Sequence, residues 1–242
     1  MSAYRFWRFV CWLITKPLFR LTTDGQEHIP KTGPVVLVPN HGSFLDPPFS
    51  GICCPRPVRF MARSTLAHNR ALGWWMRQVG VVLIDRAAPA RATFGESIKI
   101  LDAGLVMAVF PEGTRTRDGR LQEFKKGLLK LLDKTGAIVV PTGIIGAFEA
   151  WPRHRKLPRP RRCRVRFGTP MTAAEVCAAG GYERLRQAVA TLSGQELASI
   201  VDSKGSATEG ADVSSRLLGS SPLASSSLVS DQPPRRDIAS SG

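Results

Sequence analysis

Between residues 21 and 200 the chain alternates short apolar runs with longer stretches of helical spacing. Apolar runs bounded by turn residues predict buried strands over 35–38, 58–61, 81–84, 106–110 and 138–140. Apolar residues spaced three and four apart predict helices over 43–54, 71–79, 92–104, 121–134 and 183–200. This alternation predicts one α/β domain, residues 21–200, in which helices pack over a central sheet.

The first twenty residues form a separate pattern, with six aromatic residues, four basic residues and no acidic one. A helix over 4–16 would place a basic stripe (Arg5, Arg8, Trp12, Lys16) opposite an apolar face (Phe6, Phe9, Val10, Leu13, Ile14). It would be about 20 Å long, too short for a hydrocarbon core of about 30 Å. Basic charge beside aromatic bulk is typical of helices in the membrane interface. Residues 1–20 are therefore expected to hold the protein, as a peripheral protein, at the cytoplasmic face of the cell membrane. Docking on the protein's own core is the alternative.

The composition separates a cationic body from a polar tail. The 242 residues include 34 Lys and Arg and 19 Asp and Glu, a formal net charge of +15. Residues 201–242 hold four basic and five acidic residues, so the first 200 residues carry +16. With twelve serines and no aromatic residue, this tail cannot bury enough apolar surface to offset chain entropy, and we expect it to be disordered. No stretch approaches the roughly 20 apolar residues of a spanning helix, which excludes a multi-span membrane protein.

The cysteines and histidines give no sign of a metal or redox site. The five cysteines form no Cys-x-x-Cys pair, and the four histidines have no zinc-finger spacing. We therefore expect reduced thiols, no metal ion and no resident cofactor.

Residues 40–46, NHGSFLD, follow the first predicted strand and carry candidate acid–base chemistry. Loops at the carboxyl ends of strands are where α/β proteins expose catalytic groups. His41 precedes Asp46 by five residues across a tight turn, so the carboxylate can accept a hydrogen bond from one ring nitrogen. The other nitrogen is then free to act as a general base, a role that suits imidazole near neutral pH. The alternative is structural, because Ser43 and Asp46 also have the spacing of a helix capping box.

A second candidate site, FPEGTR at 110–115, follows the strand predicted over 106–110. Its glycine permits close backbone approach, and Arg115 offers a planar fork that can bind two phosphate oxygens at once. Arg86 stands at the end of another predicted strand. The structural alternatives are a polar turn closed by Asp118 and Gly119 for the first segment and an ordinary surface arginine for the second.

Taken in order, NHGSFLD, GVVLIDR at 80–86, FPEGTRTRDG at 110–119 and VVPTG at 139–143 resemble the four sequence blocks of the glycerolipid acyltransferases. The likeness extends over about residues 20–170 and is to the bacterial 1-acyl-glycerol-3-phosphate acyltransferase branch. It implies a single α/β domain with a mixed central sheet covered by helices, as in glycerol-3-phosphate acyltransferases. It also implies transfer of an acyl chain from acyl-CoA or acyl-carrier protein to the free hydroxyl of 1-acyl-sn-glycerol-3-phosphate, which yields phosphatidate.

The resemblance further implies a role for each matched residue. His41 would be the general base, and Asp46 would orient its ring and stabilise the imidazolium form. The alkoxide would attack the thioester directly, without a covalent acyl-enzyme, and the chain has no Gly-x-Ser-x-Gly elbow. Pro141 would shape the acyl-donor side. The phosphate and glycerol of the acceptor would be bound by Arg63, which stands where the family more often has lysine, and by Arg86, Glu112, Gly113, Thr114 and Arg115.

Residues 151–166 carry eight basic residues and no acidic one. A nucleic-acid binder would have such a patch, but no nucleic-acid-binding signature accompanies it, and we expect no nucleic acid as a partner. Anionic lipid is the favoured partner of this segment, and a solvated arginine-rich loop is the structural alternative. Two other functions stay open: the same transfer to another lysolipid or glycolipid acceptor, and a basic membrane- or nucleic-acid-binding protein without activity.

Overall fold

A computed structural model describes residues 3–85 and 90–198, without the side chains of Arg63, Leu66 and Ala90. Arg86 and the tail predicted to be disordered, residues 201–242, lie outside the described residues. The helices are α1 (Ala3–Phe19), α2 (Asp46–Cys53), α3 (Arg70–Gln78), α4 (Ala90–Asp102), α5 (Gly127–Thr135), α6 (Ala147–Ala150), α7 (Ala173–Cys177) and α8 (Gly181–Ser193). The strands are β1 (Thr22–Asp24), β2 (Val35–Pro39), β3 (Val58–Arg63), β4 (Val81–Ile84), β5 (Val106–Ala108), β6 (Ile138–Ile145) and β7 (Arg164–Phe167).

The described strands form one sheet in the order β1-β7-β6-β2-β5-β3-β4. β6 and β7 pair antiparallel, and the other neighbouring strands pair parallel. The expectation of a mixed central sheet covered by helices is confirmed. β2 lies in the middle of the sheet and is buried along its whole length, which explains its continuous apolar run.

The two faces of the sheet carry separate cores. Val35 and Leu37 of β2 pack on one face with buried residues of α2, and Phe19 from the end of α1 joins them. Val36 and Val38 point to the other face, where α4, α5, α7 and α8 contribute the buried residues. The alternation along β2 therefore fixes which helices lie on each side of the site.

β6 is longer than the sequence predicts, because the expectation ended it before Pro141. The strand continues to Ile145 and keeps its parallel register with β2, including the pair Val38 and Pro141. Proline has no N–H to give to a ladder, but β7 pairs with β6 only from Thr142 onward. The missing donor therefore falls just beyond the ladder with β7.

Two predicted helices are too long. The helix expected over 121–134 begins only at Gly127, because Leu121 is extended and pairs with residues 196–198. Its N–H donates to the carbonyl of Glu196, and its carbonyl accepts from the N–H of Ala198. The helix expected over 183–200 ends at Ser193, where Gly194 adopts the left-handed conformation, with φ of 69°, that terminates helices.

Part of the arginine-rich segment 151–166 is sheet and not loop, because β7 begins at Arg164. Its buried Val165 and Phe167 alternate with arginines. The guanidinium groups of Arg164 and Arg166 lie 3.6 and 3.7 Å from the carboxylate of Asp24 on β1. These two cations therefore belong to the edge of the sheet, and the remaining six lie in the loop 151–162.

α1 has one side docked on the protein and one side exposed, and membrane binding of the N-terminal segment stays a prediction. One side docks on the protein: the Tyr4 hydroxyl accepts from the N–H of Val58 at 3.0 Å, and Arg8 Nη1 donates to the carbonyl of Cys54 at 3.0 Å. Arg8 thus faces the protein, contrary to the expected basic stripe. The other side leaves apolar residues 51–60% exposed, namely Phe6, Phe9, Leu13 and Ile14. Among the described helices, none is long and apolar enough to cross a membrane.

Candidate active site

The site lies at the edge of the sheet where β2 and β5 end. These strands are parallel neighbours, so their carboxyl ends meet and the loops that follow them, 40–45 and 109–126, come together. Asn40, which is 3% exposed, fixes the first loop to β6. Its Oδ1 accepts from the N–H of Ile144 at 2.7 Å, and its Nδ2 donates to the carbonyl of the same residue at 3.0 Å.

His41 and Asp46 form the pair that their spacing predicts. His41 Nδ1–H donates to Asp46 Oδ2 at 2.9 Å, and the same oxygen accepts from the N–H groups of Gly42 and Ser43, each at 2.7 Å. The structural alternative is half realised: Asp46 caps the turn, but the Ser43 hydroxyl accepts from the N–H of Leu45, not from that of residue 46. One buried carboxylate therefore closes the turn before α2 and orients the imidazole. The hydrogen bond to Nδ1 fixes the tautomer whose Nε2 has a free lone pair.

Glu112 connects the two loops from a position that is 3% exposed. Its Oε1 accepts from the N–H of His41 at 2.6 Å, and its Oε2 accepts from the N–H of Gln122 at 3.0 Å. The N–H of Thr116 donates back to the carbonyl of His41 at 2.8 Å. Burial raises the pKa of Glu112 to about 8, although both backbone hydrogen bonds act in the opposite direction. These contacts hold the backbone of His41 in place.

Arg115 is held on an aromatic surface beside the His–Asp pair. Its guanidinium carbon lies 3.4 Å from the centre of the Phe44 ring, and that ring packs on Trp151 with centroids 5.2 Å apart. Burial lowers the pKa of Arg115, and the charge of Arg153 lowers it further. Its Nη1 is buried without a hydrogen-bond partner among the described residues. A buried guanidinium donor without a partner is suited to bind an anion.

The turn after Glu112 requires its glycine. Gly113 has φ of 71°, and a Cβ there would lie 2.5 Å from Nζ of Lys125. Thr114 is exposed. The polar-turn alternative is also realised, because Asp118 Oδ1 accepts from the Thr116 hydroxyl at 2.7 Å. The turn is thus built by local polar contacts and leaves Arg115 directed onto Phe44.

The other residues that the resemblance implies are placed less directly. Arg63 ends β3 opposite Ile84 on β4, with its side chain undescribed, and Arg86 is outside the described residues. Pro141 is buried within β6, and its carbonyl accepts from the N–H of Gly168 at 2.8 Å. Its influence on the acyl-donor side stays a prediction.

Sequence reasoning gave no role to several residues that shape the site. Phe110 stacks on the ring of His41 with centroids 4.2 Å apart, and Phe44 carries Arg115. Both lie within the motifs NHGSFLD and FPEGTR. An aromatic residue next to the polar residues of each motif was the signal that could have identified them. Trp151 lies more than 100 residues after His41 and reaches the site through the fold, a contact that no local pattern indicates. Among the described residues, no group of three or more His, Cys, Asp or Glu side chains is arranged to hold a metal ion.

This fold and site define an α/β protein with a histidine–carboxylate pair and a cationic turn at one edge of a mixed sheet. The chain belongs to the acyltransferase family, whose family model matches residues 20–145.

The known proteins that this chain resembles have names that agree with one another. The chain is 33% identical over 139 residues to the chloroplastic 1-acyl-sn-glycerol-3-phosphate acyltransferase of Arabidopsis thaliana, covering 56% of this chain and 39% of that one. It is 31% identical over 124 residues to the enzyme of that name from Borreliella burgdorferi, covering 50% of each. The chain thus spans half or less of these two relatives. The crystal structure of the 1-acyl-sn-glycerophosphate acyltransferase from Thermotoga maritima matches with a TM-score of 0.66 and 27% identity, covering 78% of this chain and 80% of that one.

Proposed function

We propose that this protein transfers an acyl chain from an acyl thioester to the free hydroxyl of 1-acyl-sn-glycerol-3-phosphate, giving phosphatidate. The observation that carries the proposal is the His41 imidazole, which donates to a buried carboxylate 2.9 Å away. It lies beside the guanidinium of Arg115, whose Nη1 has no hydrogen-bond partner among the described residues. A general base next to a phosphate-binding cation suits an acceptor that has both a hydroxyl and a phosphate. The names of the relatives agree with that acceptor.

The reaction uses the nitrogen of His41 that faces away from Asp46. The imidazole keeps 18% of its surface exposed, whereas Asp46 is 1% exposed, so the acceptor reaches the ring and not the carboxylate. Nε2 takes the proton of the acceptor hydroxyl as the oxygen attacks the thioester carbonyl carbon. The carbon–sulfur bond then breaks, the thiolate leaves, and the imidazolium returns the proton to sulfur. Asp46 stabilises the imidazolium between these steps.

The phosphate of the acceptor binds at Arg115 in this proposal. A guanidinium can give two parallel hydrogen bonds to phosphate oxygens, and Arg115 Nη1 has no partner among the described residues that would have to be displaced first. Glu112 positions the base, because it accepts a hydrogen bond from the N–H of His41 and so fixes the backbone of that residue. Acyl-CoA and acyl-carrier protein both present the thioester that the reaction needs, and the proposal includes either donor.

We place the protein on the membrane surface that holds its lipid acceptor, at the cytoplasmic face. The exposed apolar side of α1 continues on α3, where Leu72 and Trp74 are 44% and 53% exposed. Trp7 of α1 packs edge to face on Trp74 with centroids 5.8 Å apart. Apolar side chains of this kind beside basic residues are typical of proteins that lie in the membrane interface.

The test is acyl transfer by the purified protein, measured by mass spectrometry of the lipid product. Wild-type protein is given lysophosphatidate with acyl-CoA or acyl-carrier protein, and His41→Ala is expected to lose roughly 10²- to 10⁴-fold in rate, the usual contribution of a general base. His68→Ala is the matched control, because His68 is an exposed histidine outside the site.

The acceptor is tested in the same assay with lysophosphatidylcholine and a lyso-glycolipid. Preference for lysophosphatidate is expected, because it is the acceptor of the three that presents a phosphate monoester. Full activity of His41→Ala would disprove the mechanism, and equal or faster acylation of another acceptor would assign the protein to that acceptor instead. Vesicle binding without any thioester consumption would leave a membrane-binding protein without activity.

A further inference from the structure

The loop 151–162 starts at the candidate active site, to which its first residues are hydrogen-bonded. The Ser43 hydroxyl donates to the carbonyl of Trp151 at 2.8 Å, and Ser43 also forms an antiparallel bridge with Pro152. Ser43 lies two residues from the base His41. The backbone at Trp151 and Pro152 therefore has a fixed position relative to the reacting group.

The part of the loop that follows is an ordered turn. The N–H of Arg155 donates to the carbonyl of Pro152 at 3.1 Å, and Nε1 of Trp151 donates to the carbonyl of Arg155 at 3.0 Å. The N–H of Arg159 closes the loop onto the carbonyl of Ala150 at 2.8 Å. Arg153 lies inside this turn and is exposed, so its backbone is fixed while its side chain is accessible.

Arg153 follows by two residues a tryptophan that packs beside Arg115. The Trp151 ring packs on Phe44, and Phe44 also contacts the guanidinium of Arg115 at 3.4 Å. The two positive charges are close enough for Arg153 to lower the pKa of Arg115. Among the described ion pairs, none neutralises either arginine. The charge of Asp46 also acts on Arg115 and raises its pKa, but that carboxylate is buried and accepts hydrogen bonds from His41 and the turn before α2. An anion between the two guanidinium groups would relieve their repulsion.

We propose that Arg153 is a second cation of the acceptor site and that it binds, together with Arg115, the phosphate monoester of the lysolipid. This inference rests on the proposed function and adds a residue outside the matched motifs. A phosphate monoester carries about −1.5 to −2 charges near neutral pH, which two guanidinium groups match and one does not. The acceptor phosphate is favoured over the donor's phosphates because Trp151, two residues before Arg153, packs on the Phe44 ring that carries Arg115. Arg115 lies beside the base that must reach the acceptor hydroxyl.

The test compares Arg153→Ala with Lys156→Ala, which removes the same charge from an exposed position of the same loop. Arg153→Ala is expected to raise KM for a short-chain, water-soluble lysophosphatidate about tenfold, the effect of losing a charge-assisted hydrogen bond. Its kcat and its KM for acyl-CoA should stay near wild type, since the arginine neither moves the proton nor touches the donor. Arg153→Lys should recover part of the loss, because it keeps the charge but not the fork.

Binding measured without donor separates this inference from the proposed function. Calorimetry with the same lysophosphatidate should show the same weakening in Arg153→Ala and none in Lys156→Ala, whether or not transfer occurs. A wild-type protein that binds lysophosphatidate without acylating it would overturn the proposed function alone.

The inference itself is overturned by any of three results. These are equal KM values in the two variants, a raised KM for acyl-CoA in place of lysophosphatidate, or a loss confined to vesicle binding. The second result would place Arg153 at the donor, and the third would place it at the lipid surface.

Discussion

Glu112 joins the two loops of the site because each of its carboxylate oxygens accepts a backbone N–H from a different loop. The contact of this glutamate with the glycerol phosphate, which the resemblance implies, stays a prediction, and its described contacts fix the backbone of His41. An isolated carboxylate is costly to bury, and here two N–H groups partly offset that cost. The position of the His41 backbone thus depends on a side chain 71 residues later in the sequence, which no local pattern could indicate.

Glu112→Gln should make the stability of the protein less dependent on pH. Burial raises the pKa of Glu112 to about 8, and the charge of Asp46 also raises it, whereas an unfolded glutamate titrates near 4.3. Between these values the folded protein holds a proton that the unfolded chain has lost, so stability falls as pH rises from about 5 to 8 and levels off above that. Gln at this position cannot titrate.

The measurement is the melting temperature of wild type and variant across this pH window. Glu123→Gln, at an exposed site, serves as the control and should follow the wild-type slope. If Glu112→Gln also keeps that slope, Glu112 does not hold the proton.

At the level of elements, β6 and α8 approach so closely that only glycine fits between them. A Cβ on Gly143 would lie 2.3 Å from the backbone carbon of Leu192 in α8. β6 in turn contacts β2, and Ile144 holds Asn40 at the start of the loop 40–45. The packing of α8 therefore affects the position of the loop 40–45 through β6.

Gly143→Ala should destabilise the protein by about 1–3 kcal/mol, because a backbone contact cannot move aside as a flexible side chain does. Gly95→Ala is the matched control: Gly95 lies within α4 with nothing within 4 Å of an added Cβ, and alanine there should stabilise by about 0.5–1 kcal/mol. Urea unfolding of both variants gives the free energies, and equal stability of the two would contradict the close contact.

The elements also show how far local patterns reach. The pattern placed β2, β3 and β4 well because each is a short apolar run, although only β2 is buried along its whole length and β4, at the edge of the sheet, is half-buried. It missed β1 and β7, whose exposed positions alternate with few apolar ones. It extended the helix at 121–134 over Leu121, whose apolar side chain fits a helical face while its backbone pairs with Glu196 and Ala198. The extended conformation of Leu121 depends on a partner segment 75 residues away. The periodicity of residues 121–134 carries no information about that partner.

Over the whole molecule, positive charge and exposed apolar surface coincide on α1 and α3. No acidic residue occurs in 1–23 or 47–84, the stretches that contain both helices, and basic residues flank the exposed aromatic side chains. Apolar contact and attraction to anionic lipid then act in the same place. This surface is distinct from the loop of Arg153, which begins at the active site.

Phe9→Ser with Leu13→Ser should weaken binding to phosphatidylglycerol vesicles about tenfold, since both apolar side chains would leave the lipid. Leu157→Ser is the control, because Leu157 is 75% exposed but lies outside α1 and α3. Binding is read by sedimentation with vesicles and should also fall when salt rises from about 0.1 to 1 M, as the screening length shortens from about 10 to 3 Å. Equal loss in the control, or binding that ignores salt, would contradict this surface.

The sequence by itself determined the elements whose information is local. Continuous apolar runs became buried strands, the five-residue spacing brought His41 and Asp46 together across one turn, and the FPEGTR turn placed Arg115 after β5. The acyltransferase family can also be recognised from those motifs. In each case the interacting groups are close along the chain, so spacing alone limits where they lie.

Tertiary structure alone decided which loops meet. The strand order puts β5 and β6 on either side of β2, and so it joins Glu112 to the backbone of His41 and Ile144 to Asn40. It also brings Trp151 onto Phe44, the ring that contacts Arg115. These contacts join residues about 70 to 110 positions apart. Strand order arises from the packing of both faces of the sheet together, and no single segment encodes it.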